Sequence, residues 1–213
     1  MKIALIGATG FIGSHILKEA LDRGHQVTAL VRHPEEVPAH GLVRARKVDV
    51  YAVDELANLL SGHDAVISAF SADKGTPDMY QRMVDGAENI IAATKKASVA
   101  RLLVVGGAGT LEVAPGRRIL DEPDFPEEWR AGASGTAEFL SKLKEEPDLD
   151  WTFLSPAKVI QPGERTGQFR LGADQLVTDD EGNSAISLQD YAVAMIDELE
   201  QPKHSRKRFT LAY

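Results

Sequence analysis

Hydrophobic and polar positions change period along this chain, and the changes predict its elements. Residues 3–6 form a short, unbroken apolar run ended by Gly7, the pattern of a strand covered on both faces. Ile12, Ile16 and Ala20, with Leu17 and Leu21 beside them, then recur at helical spacing, and Lys18, Glu19, Asp22 and Arg23 fall on the other side. Gly24 is placed to end that helix. Residues 27–31 read as a second strand, so the first thirty residues predict one β-α-β unit.

The alternation continues. Residues 42–48 predict a weaker strand, 53–60 a short helix closed by Gly62, and 65–69 another buried strand. Pro77 suits the start of a long helix reaching about Ser98, and 102–105 is the next strand. Strands alternating with helices imply an α/β fold with a doubly wound, parallel sheet and right-handed crossovers. Residues 113–129 hold three prolines and many charges with little periodicity, which predicts a long excursion of the kind that forms lids or binding loops. Asp121, Glu122, Asp124, Glu127 and Glu128 read as its solvated carboxylates, and Phe125 and Trp129 as aromatics able to stack on a flat substrate or to pin the loop. A helix at 133–144, a strand at 151–154, a small hairpin within 163–186 turning at Glu181-Gly182-Asn183, a helix at 188–199 and a strand at 209–211 complete the expectation. No repeat or linker divides the chain, so 1–213 is expected to be a single domain, with 106–186 shaping a substrate pocket and lid.

Composition narrows the function. The net charge of −8 disfavours phosphate backbones and anionic lipid, so neither nucleic acid nor a membrane is an expected partner. The short basic cluster 203–208 reads as a solvated loop before the last strand. The absence of cysteine excludes disulfides, thiolate metal sites and cysteine nucleophiles, and fits a reducing cytosol. There is no leader-like apolar segment and no run of the ~20 apolar residues that spans a bilayer, so the expected location is cytoplasmic. The six histidines have no metal spacing and read as surface or turn residues; no metal site is expected.

The chemistry begins at Gly7-Ala8-Thr9-Gly10-Phe11-Ile12-Gly13. A diphosphate is held by backbone N–H groups at the positive end of a helix dipole, and glycines let the backbone reach it. The spacing is G-x-x-G-x-x-G. Directly after a buried strand and opening an amphipathic helix, it indicates a Rossmann-type dinucleotide site. An NAD-specific site carries an acidic residue about twenty positions on, to take the ribose 2′-hydroxyl. Here Val31-Arg32-His33 stands in its place, and a guanidinium suits a 2′-phosphate, so NADP(H) is expected over NAD(H).

These residues, with Val48-Asp49-Val50 and Asp64-Ala65-Val66-Ile67, resemble the atypical short-chain dehydrogenase/reductase superfamily. The strand end Leu154-Ser155-Pro156-Ala157 and the helix from Ser187-Leu188-Gln189-Asp190-Tyr191-Ala192 are similar, within it, to the NADH-flavin reductase and NAD-dependent epimerase/dehydratase-like group. Biliverdin-IXβ/flavin reductases and NmrA-like proteins are relatives of that group. The resemblance implies diphosphate contacts at Gly7, Thr9, Gly10, Phe11 and Ile12, with Arg32 at the 2′-phosphate and Asp49 and Val50 beside the adenine. It further implies Ala69, Phe70 and Ser71 along the adenosine ribose, Gly106 and Gly107 near the nicotinamide ribose, and Ser155, Pro156 and Ala157 bordering the nicotinamide.

One departure matters. The superfamily's alcohol chemistry uses a Tyr-x-x-x-Lys pair as acid/base. None of Tyr51, Tyr80, Tyr191 and Tyr213 has a lysine four residues later, and Gly106-Gly107-Ala108-Gly109 replaces the serine expected after the fifth strand. No catalytic side chain is assigned. The expected activity is hydride transfer from NADPH to a free flavin or a similar flat acceptor. A non-catalytic NADP(H) sensor that binds a protein partner is the alternative, and a sugar-nucleotide epimerase or dehydratase is disfavoured.

Overall fold

The computed structural model describes residues 1–73 and 75–213. In chain order the elements are β1 (Lys2–Ile6), α1 (Gly13–Asp22), β2 (Gln26–Val31), β3 (Val43–Lys47), α2 (Val53–Leu60), β4 (Ala65–Ser68), α3 (Met79–Lys96) and β5 (Arg101–Val105). Then come β6 (Glu112–Ala114), β7 (Arg117–Arg118), α4 (Glu127–Glu145), β8 (Asp150–Ser155), β9 (Val159–Gln161), β10 (Arg170–Gly172), β11 (Ala185–Ser187), α5 (Leu188–Glu200) and β12 (Lys207–Ala212).

Among the described residues, eight strands form one sheet in the order β10-β12-β8-β5-β4-β1-β2-β3, parallel throughout except for β10, which runs antiparallel to β12. This is the doubly wound α/β arrangement that the alternation predicts. Side chains of β1 alternate between the two faces. Ile3 and Leu5 join Ile16, Leu17 and Ala20 of α1 and Tyr191, Met195 and Ile196 of α5. Ala4 and Ile6 join Leu56 and Leu60 of α2, Ala87 and Ile90 of α3, and Phe139, Leu140 and Leu143 of α4. Strand order reverses between β1 and β4. A doubly wound sheet opens a crevice at the carboxyl ends of its strands at such a point.

Several expectations need correction. The segment 163–186 is not a hairpin: β10 pairs with β12 and β11 pairs parallel with β9. Glu181-Gly182-Asn183 does turn, held by the Asp179 carboxylate, which accepts from the Asn183 and Glu181 backbone N–H groups. Helix α4 begins at Glu127, directly after Pro126, so Glu127 and Glu128 sit in its first turn facing the positive dipole end rather than in a free lid. The remainder of the excursion is a pinned hairpin of β6 and β7. Ile119 and Leu120 are buried behind it, Arg118 forks onto Asp121 at 2.8 Å, and Arg130 donates to the Leu120 and Phe125 carbonyls.

The basic cluster is not all loop. Arg208 is buried in β12 and donates to Asp174 and to the Thr110 carbonyl. His25 is also buried, held between the N-terminal amine and the Glu200 carboxylate rather than at the surface.

Candidate cofactor and acceptor site

The three loop glycines have different jobs. Gly7 has φ +78°, and a Cβ there would lie 2.6 Å from the Ala69 carbonyl oxygen, so only glycine lets β1 and β4 end this close together. A Cβ on Gly13 would lie 2.0 Å from the Gly7 oxygen, which fixes the close seating of α1 on the turn. Gly10 is exposed, and its nearest atom would be 3.3 Å away. Its missing side chain therefore serves open space rather than packing. Helix α1 carries no side-chain cap and no acid in its first turn. The Ser14, His15 and Ile16 N–H groups donate to the Gly10 and Ile12 carbonyls, which leaves the Phe11 and Ile12 N–H groups and the positive dipole end of the helix at the loop, the arrangement that receives a phosphate.

A groove of about 550 Å³ runs from this loop across the ends of β1, β2 and β4. It brings together Gly7, Thr9, Gly10, Arg32, Asp49 and Val50. Ala69, Phe70 and Ser71 line it from the β4 side. Phe11 and Ile12 continue the loop into α1 outside that lining; Phe11 is exposed and Ile12 half-buried. Gly106 and Gly107 follow β5, adjacent in the sheet to β4. Ser155, Pro156 and Ala157 are buried at the end of β8. Ser155 Oγ lies 3.1 Å from Thr110 Oγ1, and Ala157 packs into the core. Their side chains are committed inward, so a ligand beside them meets backbone.

Among the groove residues that sequence reasoning missed are Lys47, Tyr51, Asp73 and Arg82. Arg82, from the first turn of α3, lies over the Tyr51 ring at 4.8 Å, and the Tyr51 hydroxyl donates to the Arg82 carbonyl. Burial raises the Tyr51 phenol above its ordinary range, with the Arg82 charge opposing. Arg82 Nε is buried without a hydrogen-bond partner among the described residues. An unfilled donor of that kind is costly, and here it borders an open groove. Arg32 is not free: its Nη1 donates to Asp73 Oδ1 at 2.7 Å, with both side chains largely exposed. Chain separation hid this contact, since the partners are 41 residues apart.

Beyond β5 the floor is glycine. A Cβ on Gly106 would collide with the Phe153 ring at 2.3 Å, and one on Gly107 would meet Thr136 of α4 at 3.3 Å. Tyr191, on α5, is wholly buried and donates to the Leu154 carbonyl at 2.6 Å. Burial holds its phenol well above the usual range, with the Gly106 backbone bond opposing. It stays protonated and cannot act as a base at neutral pH. A second cavity of about 320 Å³ lies between α4 and the β6–β7 hairpin, lined by Tyr80, Thr110, Arg118, Ser134 and Glu138 among others. Among the described residues, no cluster of three metal-ligating side chains occurs, and no helix is long and apolar enough to cross a membrane.

A model of the NAD(P)H-binding family matches residues 7–202. The chain belongs to this family. Among its relatives, the uncharacterized protein YwnB of Bacillus subtilis is 42% identical, over 99% of this chain and 98% of that one. A solved structure from Bacteroides thetaiotaomicron, of a candidate epimerase, is 48% identical with TM-score 0.92, covering 100% of this chain and 96% of the other. Another from Streptococcus pneumoniae, of a candidate NADH-flavin reductase, is 38% identical with TM-score 0.86, covering 100% and 99%. More distant relatives are longer: the chain spans about half of a Medicago truncatula cinnamoyl-CoA reductase, 54% of its length at 26% identity. The NAD(P)H-binding chain therefore carries the fold and cofactor class of an oxidoreductase.

Proposed function

We propose that this protein is an NADPH-dependent reductase that passes a hydride to a free flavin or a similarly flat, conjugated acceptor without a protein acid/base. The observation that carries the reading is the floor beyond β5, where Gly106, Gly107, Ala108 and Gly109 offer no ionisable group and the neighbouring Tyr191 is sealed in the core. The candidate flavin reductase of Streptococcus pneumoniae supports it as a relative. Epimerase chemistry, the name attached to the Bacteroides thetaiotaomicron relative, needs an acid and a base that this floor lacks.

In this reading the N–H groups of Thr9, Phe11 and Ile12 take the diphosphate, Gly7 and Gly10 keep the backbone clear for it, and Asp49, Val50, Ala69, Phe70 and Ser71 hold the adenosine. Arg32 takes the 2′-phosphate and favours NADP(H). Gly106 and Gly107 with the backbone of Ser155-Pro156-Ala157 border the nicotinamide, and segment 106–186 shapes the acceptor side of one domain. The bound nicotinamide supplies the hydride; the chain supplies position and exclusion of water. The test is NADPH oxidation with FMN, FAD, riboflavin, a quinone and biliverdin as acceptors. Turnover with a flavin is expected. Tight NADPH binding with no turnover on any of them overturns the reading and leaves a cofactor sensor.

A further inference from the structure

We infer that Asp73 sets the cofactor selectivity of the groove by competing with the 2′-phosphate for Arg32, an inference that rests on the proposed role of Arg32. Asp73 stands on the loop after β4, across the groove from the end of β2, and its carboxylate accepts from Arg32 Nη1 at 2.7 Å. The contact is a single bond, so the rest of the guanidinium edge stays available; the Arg32 side chain is 67% exposed. A 2′-phosphate arriving at that edge brings about −1.5 to −2 charges beside a carboxylate already in place. It must share Arg32 with Asp73 or displace it. A ribose with a free 2′-hydroxyl brings no charge and leaves the pair intact.

The surrounding charges do not decide the matter alone. Lys47, His33 and Arg82 line the same groove, as do Asp49 and Glu36. The Asp49 carboxylate already accepts from the Tyr51 N–H, and Glu36 lies in the turn after Arg32. Asp73 is thus the acid in direct contact with the cation that reads the phosphate. An acid in that position narrows the gap between the two cofactors, so the wild-type groove accepts both NADPH and NADH. Removing its charge should widen the gap.

The test uses the full chain and four probes: NADPH, NADH, 2′,5′-ADP and 5′-ADP, titrated by calorimetry against wild type, Asp73→Asn, Asp73→Ala and Arg32→Ala. Both Asp73 variants should bind NADPH and 2′,5′-ADP about five- to tenfold more tightly, the factor exerted by a like charge a few ångströms away in a water-like medium. NADH and 5′-ADP should move less than about twofold, and the gain should shrink as salt rises. Arg32→Ala should collapse the NADPH-to-NADH ratio. If Arg32→Ala collapses it and neither Asp73 variant raises it, the inference about Asp73 is overturned while Arg32 keeps its role. If Arg32→Ala leaves the ratio unchanged, the role of Arg32 fails and Asp73 falls with it.

Discussion

Gly10 and Gly13 share one loop and one motif, yet the geometry assigns them opposite mutational phenotypes. In Gly13→Ala the new methyl would sit 2.0 Å from the Gly7 carbonyl oxygen and 2.9 Å from its carbon. Both are backbone atoms, so no rotamer relieves the clash, and either α1 lifts from the turn or the Gly7 peptide rotates out of its bond to Leu30. Overpacking against side chains costs about 1–3 kcal/mol, and a backbone obstacle belongs above that range, so about 3–5 kcal/mol is expected. For a chain of this size each kcal/mol moves Tm by about 2–4 °C, which predicts a fall of ~6–20 °C. A methyl on Gly10 meets only the Gly7 oxygen at 3.3 Å, and the residue is exposed. Gly10→Val should therefore keep Tm within about 2 °C of wild type while its branched side chain fills the space above α1. An NADPH affinity loss of 100-fold or more, about 2.7 kcal/mol, is the expected consequence. Calorimetric unfolding and NADPH fluorescence titration on both variants separate the two roles. A Gly13→Ala protein as stable as wild type, or a folded Gly10→Val protein with normal NADPH affinity, would refute this account of the loop.

Three further outcomes follow from particular contacts. Arg82→Met keeps much of the stem against Tyr51 and removes the unfilled Nε, so it should weaken NADPH and NADH alike by about three- to thirtyfold with Tm unchanged or raised; loss for one cofactor alone would contradict this. Glu19 is buried and takes Arg165 through both carboxylate oxygens and Arg23 at 2.7 Å; its carboxyl lies below the ordinary value of 4.5, chiefly through Arg165, with burial opposing. A depressed carboxyl contributes fully above about pH 4.5 and loses that contribution as pH falls through its folded value, so Glu19→Gln should cost about 2 kcal/mol at pH 7 and flatten the acid limb of a Tm–pH curve; an unchanged acid limb would argue against it. Trp129, 63% exposed on the first turn of α4, should tolerate Trp129→Ala without loss of stability but raise the KM for a flavin more than that for NADPH; equal effects on both would remove it from the acceptor side.

The amino-terminal half was legible because local signals agree there. The apolar run of β1, the glycine loop and the amphipathic α1 each specify the same β-α-β unit, and the parallel sheet follows from the alternation alone. Beyond β8 the decisive contacts are distant in sequence. Strand β10 finds β12 across some forty residues, and Leu171, an exposed hydrophobic on this edge, gives no period to read. The start of α4 was legible in principle: Pro126 followed by two glutamates is a helix-start signal, and reading those carboxylates as solvated lid residues obscured it. At the site, Arg32 was readable from its position after β2. Asp73 was not, since only the fold brings the two together. Arg82 was hidden inside a helix whose pattern shows burial and no chemistry.

The glycine floor also limits which acceptors the proposed reaction can serve. Hydride transfer to an isolated ketone places a full negative charge on one oxygen, and that step is slow unless an acid or a set of fixed donors meets the charge as it develops. Here Gly106 N–H is already bound to the Leu154 carbonyl, Ser155 Oγ is held against Thr110, and Tyr191 is spent on Leu154. These three side-chain and backbone groups beside the floor are committed to the fold, and what the floor itself presents is backbone rather than an acid. An acceptor that spreads the incoming charge over a conjugated ring system asks for none of them and can take its proton from water after the hydride has moved. Flavins, quinones and bilins are of that kind; simple aldehydes, ketones and sugar-nucleotide carbonyls are not. If the proposed flavin reduction holds, a saturated ketone at equal concentration should turn over at least ~10²-fold more slowly, the usual contribution of a positioned acid. Comparable turnover on the two would mean that an acid reaches the floor in the working complex, with Tyr80 of the adjoining cavity the first residue to replace by phenylalanine.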